Sequence, residues 1–205
     1  MKKLWFLSVF LTVVFLSGCV SNPSLKGDYN FVSDTENGFL ILGFTDEITR
    51  QDSHWGFPTH ANITFKSDSG KSLVVRKHYS HEKDFGDGEK QRGHLYVLPI
   101  KPGKWKLTDW EFTYGGLVTT QFFGKISQES TIDIKAGEYV FIGDVAIKYA
   151  VAVTWLKYPD YEDMSIEATD NWDSVKPLLT SKYQYLPVDE VKSNVIQVAL
   201  EPKPE

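Results

Sequence analysis

The stretch Ile100-Lys101-Pro102-Gly103-Lys104-Trp105-Lys106-Leu107 returns 34 residues later as Ile134-Lys135-Ala136-Gly137-Glu138-Tyr139-Val140-Phe141. Each copy reads as the end of one strand, a short glycine turn, and a second strand led by an aromatic residue. In the first copy, Pro at the second turn position sets φ and Gly at the third supplies the positive φ of a type II turn. A solenoid needs at least three repeats, so two copies point instead to two similar hairpins within one β-sandwich.

The flanks of both copies carry the same texture. Residues 95–100 and 104–112 read as strands. Trp105 and Leu107 share one face in the second of these, whereas Trp110 and Phe112 have the opposite parity, so a bulge near Thr108-Asp109 is expected to bring both pairs to the core. The second copy runs on through Ile142, Val145, Ile147, Val151, Val153 and Trp155, as the middle of a sheet would. Upstream, Asn37-Gly38 opens Phe39-Leu40-Ile41-Leu42-Gly43-Phe44, apolar on both faces and therefore a central buried strand. Ala61, Ile63 and Phe65 alternate with polar residues up to Asp68-Ser69-Gly70. Leu73, Val75 and Tyr79 resume the alternation with Lys77 as the exception, which makes a hairpin.

After Pro159 the period changes. Trp172, Val175, Leu179 and Tyr183 mark an amphipathic helix, capped by Thr169 or Asp170, or starting late at Ser174 with Pro177 in its first turn. Residues 188–200 fit a helix or a last strand, and their β-branched content favours the strand. The expected fold is mostly β: an antiparallel β-sandwich of about seven to nine strands with one C-terminal helix.

The N-terminus has a separate logic. Lys2 and Lys3 precede an apolar run over residues 4–16 that is too short to span a bilayer and ends in Leu16-Ser17-Gly18-Cys19, the layout of a secretory signal. That ending resembles the lipobox of bacterial lipoproteins, and Cys19 is the only cysteine in the chain. The resemblance implies cleavage after residue 18 and acylation of Cys19 with palmitate-type chains. Because Val20 rather than Asp follows, it also implies sorting to the outer membrane, with the domain facing the periplasm or the cell surface. Residues 1–18 are then signal peptide, 19–35 the lipidated cysteine with a flexible tether, and 36–205 a single β-sandwich domain with its helix and tail.

Composition narrows the partners. Of 22 basic residues the leader holds two, so the remainder carries 20 against 27 acidic ones, a net charge near −7. That balance excludes a nucleic-acid binder and offers no attraction to anionic lipid, so acyl chains must hold the protein at its membrane. Residues 98–107 and 136–144 are similar to segments of uncharacterised proteobacterial lipoproteins with small Ig-like or prealbumin-like sandwiches. The resemblance implies fold and location and assigns no activity to any residue.

The chemistry-bearing residues are few. His78, His81, Glu82 and His94 form the densest polar cluster and are the candidates for a divalent ion. Their spacing matches no zinc-protease or calcium-loop pattern, and a solvated loop between strands accounts for them as well. Trp55 and Phe57 lie in an aromatic loop that could stack on a ligand or cover a core edge. No nucleophile elbow, phosphate loop or dinucleotide fingerprint occurs, and no cofactor is implied. The sequence thus points to a non-catalytic, lipid-anchored envelope module binding a protein or glycan partner. A metal-binding or hydrolytic protein using residues 78–94 is the alternative.

Overall fold

The computed structural model describes residues 24–51, 60–78, 83–114, 120–126, 130–153 and 159–199. Among the described residues the chain forms ten strands: β1 Gly38–Gln51, β2 His60–Ser67, β3 Ser72–His78, β4 Gln91–Ile100, β5 Gly103–Tyr114, β6 Thr120–Lys125, β7 Thr131–Ile134, β8 Tyr139–Val153, β9 Pro159–Thr169 and β10 Lys192–Ser193. One helix, α1 Trp172–Lys182, lies near the C-terminus. The strands make two five-stranded sheets. In sheet A, β4 and β8 flank β1, and the far edge of β8 is shared end to end by β10 and β9. Sheet B has the same plan: β3, β2 and β5 lie in order, and the far edge of β5 is shared by β7 and β6.

The mostly β sandwich with a C-terminal helix is therefore present, with two differences from expectation. The described residues form ten strands where about seven to nine were expected, and β1 and β10 both pair with β8 in parallel. The repeated stretch explains the parallel pairing. Neither copy is a hairpin: β4 belongs to sheet A and β5 to sheet B, while β7 belongs to sheet B and β8 to sheet A. Both copies are corners that carry the chain between sheets. They sit at one end of the sandwich, where Gly103 is opposite Ile134 and Phe39 opposite Tyr139. β1 and β8 consequently enter sheet A from the same end and run side by side. Pro102 has no N–H to extend a ladder, and Trp105 clasps the corner by donating from Nε1 to the Lys101 carbonyl at 3.0 Å. Gly103 and Gly137 take φ of +136° and +71°, a region that disfavours a side chain.

The bulge in β5 forms where the parity change places it. Thr64 faces Asp109 while Phe65 faces Leu107, which leaves Thr108 extra, and Trp105, Leu107, Trp110 and Phe112 are all buried between the sheets. The Asp68-Ser69-Gly70 hairpin joins β2 and β3. β1 is buried from Gly38 through Asp46, as its two-faced apolar run requires.

A second core lies on the outer face of sheet A, where Phe39, Ile41, Leu95, Val97, Tyr139 and Phe141 meet Val175 and Leu179 from α1 and Tyr183 just after it. The helix starts at Trp172 with Asn171 in the N-cap position making no side-chain cap bond; Asp170 Oδ1, one position outside it, accepts from the Trp172 amide at 3.3 Å, while Thr169 and Ser174 are not the cap. Pro177 falls inside the helix and removes one backbone donor, and burial of Val175 and Leu179 holds the segment in place. After a 3-10 turn at Val188–Glu190 the tail is extended: β10 joins β8, and the Asn194 and Ile196 amides bond the Phe141 and Ile142 carbonyls.

Residues 24–35, read from sequence as part of a tether, are packed onto this second core. The Leu25 amide donates to the Val97 carbonyl on the free edge of β4 at 3.1 Å, and Ser24 Oγ lies 2.6 Å from the Tyr183 hydroxyl. Phe31 is 1% exposed, with Tyr29, Phe39 and Tyr183 around its ring. Asp34 caps the following turn by accepting from the Asn37 backbone and side-chain amides. These polar residues lack periodicity because they form turns over a buried Phe.

Candidate functional site

Of the residues singled out from the sequence, the structure describes His94 and the backbone of His78. Cys19, Trp55, Phe57, His81 and Glu82 lie outside the described residues. His78 ends β3, where its backbone is opposite His60. His94 sits inside β4 opposite Phe44, on the face of Tyr96 and Leu98 that looks into the sandwich. Burial first, then the Lys77 charge, lowers its pKa to about 4, so at neutral pH it is an uncharged, half-buried imidazole. Among the described residues no group of three or more His, Cys, Asp or Glu is arranged to hold a metal ion. With one cysteine in the sequence, the chain has no internal disulfide.

The ionisable groups that do meet are ones the sequence only hinted at. Lys77 follows Leu73 and Val75 on the inward face of β3 and reaches across the sandwich to Asp46 of β1, with Nζ 2.7 Å from Oδ2 and both side chains about 5% exposed. Nζ also donates to the Arg92 carbonyl. Burial raises the Asp46 pKa and lowers that of Lys77, against their mutual attraction. A buried pair of this kind ties two sheets together in one register more than it adds net stability. Behind it, on the other face of sheet A, Asp144 accepts from Thr45 Oγ1 at 2.7 Å. Phe85 covers Gly93 there; a Cβ on Gly93 would come within 2.2 Å of the ring.

The outer face of sheet B is built differently. A row of side chains crosses four strands: Arg76 Nε of β3 donates to Asn62 Oδ1 of β2 at 3.2 Å, Asn62 Nδ2 donates to Glu111 Oε2 of β5 at 3.0 Å, and Gln121 of β6 donates to the other Glu111 oxygen. The hydrogen bond from Asn62, the largest influence, holds the Glu111 carboxyl below the usual carboxylate range. One step along, Lys66 pairs with Asp109 at 2.9 Å. Phe123, opposite Glu111 in the β5–β6 ladder, is 76% exposed beside the row. In sequence these residues are the unremarkable polar half of alternating strands, and only the register of four strands lines them up. The face is a pre-ordered polar surface, with Phe123 as the exposed large aromatic side chain among its described residues.

No protein family, curated protein or solved structure matches the chain.

Proposed function

We propose that the chain is a lipid-anchored protein of the bacterial cell envelope, sorted to the outer membrane, whose β-sandwich is a non-catalytic module that binds envelope glycan. The observation that carries the location is the basic, apolar leader ending in Leu16-Ser17-Gly18-Cys19. The binding reading is supported by the row Arg76, Asn62, Glu111 and Gln121 with Phe123 beside it. A protein partner needs an apolar centre to dehydrate, and this face offers one aromatic side chain among charges and amides. A sugar ring uses the opposite mixture: an apolar face for the ring to stack on, and rigid donors and acceptors for its hydroxyls. Because Glu111 already holds its neighbours in place, little rotamer entropy remains to be lost on binding.

The test is cosedimentation of the purified protein with peptidoglycan sacculi, the polymer glycan of the envelope. The expected result is sedimentation of the unaltered protein and its loss in Phe123→Ala, a change at an exposed position that leaves the fold alone. A protein that stays in the supernatant, or a variant that sediments equally, would overturn the binding reading. The metal-binding alternative receives no support from His94, whose imidazole faces the core of the sandwich.

A further inference from the structure

We infer that the protein sits directly on the bilayer in one orientation, with the surface formed by residues 24–33 and 182–186 against the lipid headgroups and sheet B turned away. The inference rests on the anchor reading of Cys19 and goes beyond it by naming the seated face.

Two observations carry it. The first is length. Ser24 is already fixed to the fold through Tyr183, and the Leu25 amide is bonded to β4. Only five residue steps separate it from Cys19, and fully extended they reach at most about 17 Å. An acylated cysteine sits at the base of a headgroup layer roughly 7 Å deep, so the reach left above the membrane is about 10 Å, the spacing of two packed sheets. The domain cannot stand off on a long tether; whatever surrounds Ser24 is held near the lipid.

The second observation is what surrounds Ser24. Residues 24–33 interlock with the end of α1: the Gln184 amide donates to the Gly27 carbonyl, and a Cβ on Gly27 would lie 2.4 Å from the Lys182 carbonyl oxygen. Among the described residues three large apolar side chains are exposed, Val32, Phe123 and Tyr185, at 78%, 76% and 52%. Two of them, Val32 and Tyr185, belong to these interlocked segments. Tyr is a residue of membrane interfaces, with a ring for the acyl boundary and a hydroxyl for the headgroups. The overall negative charge supplies no pull towards anionic lipid, so the acyl chains provide the adhesion and this surface provides the seat. The layer order of the fold then sets the rest: the helical layer nearest the membrane, sheet A behind it, and sheet B with Phe123 outermost.

The experiment uses the acylated full chain in vesicles of phosphatidylethanolamine with a minority of phosphatidylglycerol, some lipids carrying a doxyl quencher near the headgroup. Single cysteines are introduced as Val32→Cys, Tyr185→Cys and Phe123→Cys and labelled with a small environment-sensitive fluorophore; all three positions are exposed, so the labels leave the core intact. Flotation with the vesicles reports the anchor, and quenching reports the seat. The expected result is flotation of all three, with quenching several-fold stronger at positions 32 and 185 than at 123. Flotation with equal quenching at the three positions, or the strongest quenching at 123, would overturn the seating and leave the anchor standing. Failure to float would overturn the anchor and the seating together.

Discussion

Asp144 is held where a carboxylate is costly. It lies opposite Gly43, with Thr45 donating to it, and a Cβ on Gly43 would come within 2.6 Å of Oδ1. Burial, outweighing the Thr45 bond and the Lys77 charge, raises its pKa to about 6, with Glu47 and Glu167 adding to the rise. A folded pKa above the unfolded one means that folding takes up a proton in the window between the two. Stability contributed by the neutral acid is therefore present below about pH 4, falls as pH rises to about 6, and is absent above it. Asp144→Asn keeps the shape and an oxygen for Thr45, so it should stabilise the protein by about 1–3 kcal/mol near pH 8 and have little effect below about pH 4. Urea unfolding at both pH values checks this; equal midpoints near pH 8 would contradict it. His94 acts in the opposite direction, since its depressed pKa removes stability as pH falls from 6.5 to about 4. The comparison of variant with parent isolates Asp144 from that effect. At this scale the sequence was partly legible. Lys77 stood out as a charge on an apolar face, but its partner Asp46 lies 31 positions away in another sheet, and no local pattern connects them.

Among the elements, the two corners show what periodicity reveals and what it leaves open. Strand, glycine, strand was readable in both copies, and so was the β5 bulge, because a change of parity in one strand is a local signal. Whether a glycine turn closes a hairpin or passes to another sheet depends on which strands already occupy the neighbouring edges. β1 pairs with β4 along Gly38–Ile100 to Glu47–Gln91, and β2, β6 and β7 take both edges of β5, so the turns had to become corners. The helix is similar: Trp172, Val175 and Leu179 announced it, while its start at Trp172 and its tolerance of Pro177 follow from packing on sheet A. At Gly103 the φ of +136° is a backbone requirement, and a Cβ there meets no atom within 4 Å. Gly103→Ala should therefore destabilise by about 1 kcal/mol or more through the backbone alone. An unchanged thermal midpoint would show that this corner does not need glycine.

For the whole molecule, the sequence described a sandwich on a tether, and the fold is a three-layer body in which residues 24–35 form part of the helical layer on sheet A. The segment misled because its polar turn residues read as linker, although Phe31 within it is among the most buried side chains in the domain. The histidine candidates were grouped by proximity in sequence alone, and the β4 register turns the half-buried His94 toward the inner face of the sandwich. The row on sheet B left no local trace because it exists only once four strands are aligned. What would join these layers to the proposed envelope function is acylation of Cys19, and the most direct measurement is the intact mass of the N-terminal peptide from protein purified out of membranes. The account predicts a chain that begins at Cys19 and carries a diacylglyceryl group on sulfur. A peptide retaining residues 1–18, or an unmodified cysteine, would contradict it.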